Sequence, residues 1–116
     1  MTTYTLPWPP SVNGYWRSFR GRQIISKRGR EFRDNAIAAV LEQGRTRTLG
    51  RLSVLFRAYP PDPRIRDLDN LIKATADALS HAGVWSDDSQ IDDLRIVRGE
   101  VVKGGKMVVE IREIAE

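Results

Sequence analysis

The sequence contains no cysteine. That single absence excludes disulfides, thiolate-bound zinc, iron–sulfur clusters and thiol catalysis. It accords with a reducing compartment. There is one histidine, His81, which excludes multi-histidine metal centres and weakens any Ser-His-Asp scheme. No window approaches the roughly 18 consecutive apolar residues that span a bilayer, so no membrane association is expected. The opening residues, Met1-Thr2-Thr3-Tyr4-Thr5-Leu6, hold neither a basic start nor an apolar stretch. No secretory leader is therefore expected, and the cytoplasm is the expected location. Any catalysis must run on carboxylates, lysine, arginine and bound ions.

What is present is a chain of 116 residues, the size of one domain, expected to span 1–116 without a linker. Hydrophobic residues make up 41%, enough for one modest core. The formal net charge of +4 hides a split: residues 1–66 carry +9 and residues 67–116 carry −5. A basic half suits attraction of a polyanion, and an acidic half suits holding a cation.

The hydrophobic pattern predicts a short strand at 3–6, stopped by Pro7-Trp8-Pro9-Pro10. Residues 11–28 read as irregular, with a hairpin around Gly21. Ser26 predicts the cap of a helix over 28–43, with Phe32, Ala36, Ile37, Val40 and Leu41 as its apolar stripe and Gly44 as its stop. Residues 52–59 (LSVLFRAY) predict a strand. A second helix is expected over 68–82, ended by Gly83. Strands follow near 91–103 and 107–114, with Lys103-Gly104-Gly105-Lys106 as a hairpin turn between them. The fold class is α/β (α+β): a single small domain with a mixed sheet packed by two main helices.

The most informative stretch is Arg66-Asp67-Leu68-Asp69-Asn70-Leu71-Ile72-Lys73. On a continuous helix Asp67 and Asp69 would point roughly 200° apart. They converge only if Asp67 lies at or before the start and Asp69 in the first turn. Lys73 falls on the same face as Asp69, and Asp77 and Ser80 continue that face. A second pair, Asp87-Asp88, follows the helix. If it folds back, three or four carboxylates and a lysine share a pocket whose mutual repulsion a cation relieves. Oxygen-only ligands select Mg²⁺ or Mn²⁺, and such an ion beside a phosphodiester supports hydrolysis. Plainer readings stay open: Asp67 or Asp69 as an N-cap, Asp69–Lys73 as a surface ion pair, Asp87-Asp88 as a solvated turn.

Asp67-Leu68-Asp69-Asn70-Leu71 with Lys73, then Asp77-Ala78-Leu79, then Trp85 and Asp87-Asp88-Ser89-Gln90, resembles the RusA family of Holliday-junction resolvases. Leu6-Pro7-Trp8-Pro9-Pro10-Ser11 with Asn13 and Tyr15 resembles its N-terminal signature, and Lys103-Gly104-Gly105 its late hairpin. The resemblance runs in order along nearly the whole chain. It implies a small homodimeric, Mg²⁺-dependent endodeoxyribonuclease, often phage- or prophage-encoded, that cuts four-way DNA junctions by paired symmetric nicks in recombination and repair. Carried onto this sequence, the family's catalytic carboxylates fall on Asp67, Asp69 and Asp88 and its lysine on Lys73. Asp87 would assist Asp67, Asp69 and Asp88 at the metal, with Mn²⁺ as a possible substitute for Mg²⁺.

Arg17, Arg20, Arg22, Lys27, Arg28, Arg30 and Arg33 fall within 17 residues, with Trp16 and Phe19 among them. That clustering suits phosphate contacts and stacking on unpaired bases. The expected DNA contacts are Arg17, Arg20, Arg22, Lys27, Arg28, Arg30 and Arg66. Trp8 is expected to pack as a stiff strap, Trp85 to lie in the core beneath the site, Asp92 to face solvent, and His81 to sit at the surface near a helix end. The alternative function is a non-catalytic DNA-binding module with a structural acidic cluster.

Overall fold

The strand expected at 52–59 forms as β4 (Leu52–Tyr59) and organises the main sheet. The computed structural model describes residues 1–114. Along the chain run β1 (Thr2–Leu6), α1 (Val12–Tyr15), β2 (Trp16–Phe19), β3 (Arg22–Ile25), α2 (Lys27–Gln43), β4, α3 (Asp69–Ala82), a 3₁₀ turn (Asp88–Gln90), β5 (Ile91–Arg98) and β6 (Lys106–Glu113). The four-stranded sheet has the order β1-β6-β4-β5, with β5 parallel to β4 and the other pairs antiparallel. β2 and β3 form a separate hairpin, as the turn at Gly21 predicts.

Alternate residues of the sheet face inward: Tyr4 and Leu6, then Leu52, Val54, Phe56 and Ala58, then Met107, Val109 and Ile111. They meet Phe32, Ala36 and Val40 of α2 and Leu71, Ala74, Ala78 and Leu79 of α3. The period-2 and period-3.6 patterns thus meet in one apolar layer. The Gly29 N–H donates to Ser26 Oγ at 2.9 Å, capping α2, and Gly44 (φ 90°) and Gly83 (φ 82°) end the two long helices in the left-handed conformation. Among the described residues no helix is long and apolar enough to cross a membrane.

Three expectations need correction. Leu41 is not on the buried stripe but faces water, because the inward arc of α2 ends at Val40. Residues 11–28 are not irregular with a hairpin alone: Val12–Tyr15 form a short helix ahead of the two main ones. The last two strands are not a hairpin, since β4 lies between them. β5 stops at Arg98, and residues 99–105 cross the end of β4, where the Gly99 N–H donates to Ala58 O at 2.8 Å and the Val102 N–H to Pro60 O at 2.9 Å. A link across two strand spacings, about 9.5 Å, needs more than a tight turn.

Candidate active site and basic flank

Helix α3 starts without a side-chain cap: Leu68 already has helical dihedrals (φ −60°, ψ −38°). Asp67 contributes only its carbonyl, which accepts from the Asn70 N–H at 3.2 Å. Asp67, Asp69 and Lys73 are exposed, and none of the ion pairs among the described residues includes them. The N-cap and Asp69–Lys73 ion-pair readings therefore do not describe this structure. The fold makes no use of these charges, while the positive end of the α3 dipole tolerates two acids there.

Asp69, Lys73, Asp77 and Ser80 share an arc of about 80° on α3. At its far end Ser80 donates to Asp88, and the indole Nε1 of Trp85 donates to Asp88 Oδ1 at 3.0 Å. Trp85 is fully buried, as expected, so Asp88 is held on a rigid base. Ser80 lies eleven residues beyond Asp69, about 16 Å along the helix. Asp87 is engaged in its own turn: Asp87 Oδ1 accepts from the Ser89 N–H at 3.2 Å, and Gln90 Oε1 accepts from the Asp87 N–H at 3.1 Å. Among the described residues no three acidic or histidine side chains stand close enough to hold a metal. Among the described residues Asp67 and Asp69 lie at the start of α3, while Asp88 is bonded at its Ser80 end.

The donor chemistry still fits a hard divalent ion at the Asp67–Asp69 end. Mg²⁺ is commonly held by one or two carboxylates, with water and substrate phosphate completing the shell.

At one edge of this arc, Asp77 Oδ2 accepts from the buried Tyr15 hydroxyl and from Arg33 Nη2 at 2.9 Å. Burial, and then the bond to Asp77, pushes the Tyr15 phenol up to about 12. His81, exposed on the last turn of α3, has Nε2 3.8 Å from Asp77 Oδ1. Arg33 is therefore not a free member of the basic cluster. Its position carried the signal, since Ala36, Ile37 and Val40 follow it at helical spacing on the buried side. Tyr15 gave no comparable warning.

The remaining basic residues are presented outward. Arg17, Arg20 and Arg22 are exposed on the β2–β3 hairpin, where Arg17 and Arg20 stand 5.5 and 5.2 Å from the Phe19 ring centroid. Lys27, Arg28 and Arg30 occupy the first turn of α2, which contains no acid. Cations there oppose the helix dipole, an arrangement that favours a bound anion. Arg66 is more constrained. Its guanidinium lies 5.6 Å from the Trp8 ring centroid and donates to the Asp62 carbonyl and to Asp62 Oδ2, each at 3.0 Å. Bonds from Arg66 and Arg64 hold the Asp62 carboxyl well below the usual carboxylate range. Trp8 and Pro9 form a strap between two cavities, one reaching Asp67 and the other Arg28. The acidic start of α3 and the basic start of α2 therefore flank one strap. Asp92 is exposed and pairs with Arg51.

The fold and this site define a small α/β domain with a carboxylate–lysine helix start that enters no ion pair among the described residues, beside a basic flank. The family model described as endodeoxyribonuclease RusA matches residues 7–112; the chain belongs to the RusA family. It is 45% identical over 119 residues to the crossover junction endodeoxyribonuclease of Enterobacteria phage 82, covering 98% of each chain. The like-named protein of Escherichia coli strain K12 is 45% identical over 118 residues, again with 98% of each covered. That of E. coli O139:H28 is 43% identical over 120 residues, covering 100% of this chain and 99% of its own.

Proposed function

We propose that this chain is a divalent-metal-dependent, structure-selective endodeoxyribonuclease that resolves four-way DNA junctions. In this reading Mg²⁺ is the working ion and Mn²⁺ a substitute, and a homodimer makes paired symmetric nicks in cytoplasmic DNA. The carrying observation is the unpartnered Asp67, Asp69 and Lys73 at the start of α3, set across the Trp8–Pro9 strap from the basic start of α2. The names of the full-length relatives support the same activity.

Asp67 and Asp69 would hold the ion, which supplies polarisation of a phosphoryl oxygen and a more acidic bound water. Lys73, in no ion pair among the described residues, neutralises charge developing on the phosphate. The hairpin and the first turn of α2 bring the backbone in, offsetting the repulsion between DNA and the acids. Asp88 is proposed as a further catalytic carboxylate. Its place at the other end of α3 supports a second copy in the active unit, as does the two-fold symmetry of a junction that must be cut twice.

The test incubates the protein with a mobile synthetic junction, with Mg²⁺ or with EDTA. Nicking should require the ion. Asp67→Asn should abolish cleavage while junction binding holds or tightens, because one repulsive charge is gone. Binding without nicking under every divalent ion tried would sink the enzyme reading in favour of a non-catalytic DNA-binding module. A monomer by sedimentation, free and junction-bound, would remove the paired-cut part of the proposal.

A further inference from the structure

Beside Asp67 lies a cavity of about 310 Å³ that the mechanism above does not use. Its apolar walls are Trp8, Pro9, Ile65 and Leu71, and Asn70 also lines it. Ile65 is 99% exposed, so a large aliphatic side chain stands in water with no packing role in the fold. Single exposed apolar residues are ordinary; one at the mouth of a cavity, between two arginines and next to a catalytic carboxylate, has a use. Arg64 and Arg66 flank it, tied to Asp62 at 3.0 Å, and two guanidinium groups against one carboxylate leave the loop net positive. Asn70 offers a carboxamide with both a donor and an acceptor.

We propose that this cavity is a nucleobase subsite: it receives the base of a nucleotide next to the scissile phosphate, with Ile65 covering its face and Asn70 reading its edge. The inference rests on the endonuclease reading. Because Asp67 lines the cavity, a phosphate that meets an ion held by Asp67 would lie within about one nucleotide of it. A paired base inside a continuous duplex cannot enter without unstacking, and the cost of that is least where stacking is already interrupted. The point of strand exchange is such a place. One cavity then supplies both preference for branched DNA and preference for particular bases at the cut.

The test is a cycle of one protein change and one DNA change. Ile65→Ser is chosen because a side chain this exposed contributes little to folding. The DNA carries an abasic nucleotide on one side or the other of the scissile position. Dissociation constants are measured in EDTA, without cleavage. Ile65→Ser should weaken binding of the intact junction about five-fold, a modest share of one stacking contact. It should have no effect on the junction whose missing base would have filled the cavity. Equal weakening on both DNAs overturns the subsite. So does a shift in the monomer–dimer equilibrium without base dependence, which would mean that a second copy of this chain occupies the cavity. With Mg²⁺, cleavage rates across four junctions differing only in that base should converge in Asn70→Leu; an unchanged spread would refute edge reading. If no junction is cut under any ion, the endonuclease reading fails, while the EDTA cycle still reports on the cavity.

Discussion

The Tyr15 hydroxyl is where a single residue ties the basic side of the molecule to α3, the helix that carries the candidate site. It is buried and donates to Asp77, which Arg33 also engages. Because its pKa is pushed up from 10.0 to about 12, the folded chain retains a proton that the unfolded chain releases. The resulting stability is complete below about pH 10 and is lost as pH rises through the folded value. At most ~3 kcal/mol is involved, from about two pH units. Denaturant midpoints measured from about pH 8 to 12 should fall across that window for the wild type. Tyr15→Phe should flatten the fall, and parallel curves would show that another group titrates. The exposed trio of Asp67, Asp69 and Lys73 shows the opposite arrangement: among the described residues these charges enter no ion pair.

At the scale of elements, α2 shows how a packing constraint overrides intrinsic preference. Propensity alone says that an alanine at Gly29 would help the helix by about 1 kcal/mol. In the structure a Cβ there would sit 2.5 Å from Tyr15 O and 2.8 Å from Ile25 Cγ1, and that carbonyl already accepts from the Ser26 N–H at 2.8 Å. Gly29→Ala should therefore destabilise the protein by about 2 kcal/mol, and a stabilised variant in chemical denaturation would contradict this packing. The β2–β3 hairpin is rooted at the same place, so the start of α2 and the exposed arginines are anchored beside Tyr15, which donates to Asp77. The boundaries of α2, β4 and α3 were legible because caps and apolar periodicity are local. The β5–β6 arrangement was not, because Lys103-Gly104-Gly105-Lys106 marks a turn without saying which strands it joins.

For the whole molecule the charge split has a physical use. The +9 portion presents Arg17, Arg20, Arg22, Lys27 and Arg28 to solvent, and none of them is in an ion pair among the described residues. Binding to junction DNA should then release counterions in proportion to the phosphates engaged. Replacing Arg17, Arg20 and Arg22 together by alanine should weaken binding and lower the slope of log K against log salt by about two to three. Titrations from low to moderate salt measure this, and an unchanged slope would remove the hairpin from the DNA surface. The −5 portion is not one acidic patch: Asp92 neutralises Arg51, Glu110 neutralises Arg57 on the outer sheet face at 2.6 Å, and Asp77 holds Tyr15 and Arg33. Only some of its acids are left for chemistry.

The sequence by itself determined which chemistries were open, through the missing cysteine and the lone histidine, and which short segments carry them. It also determined the two long helices and the central strand, since side-chain periodicity and capping act over a few residues. Tertiary structure alone decided that β4 separates β5 from β6, that Arg33 turns inward to Asp77 while the other cations of its cluster stay in water, and that Asp87 closes its own turn. It also decided that Asp88 is bonded to Ser80, eleven residues along α3 from Asp69. Those outcomes depend on which distant surfaces meet, and the fixed rise of α3 keeps apart acids that the sequence lists within 22 residues of one another.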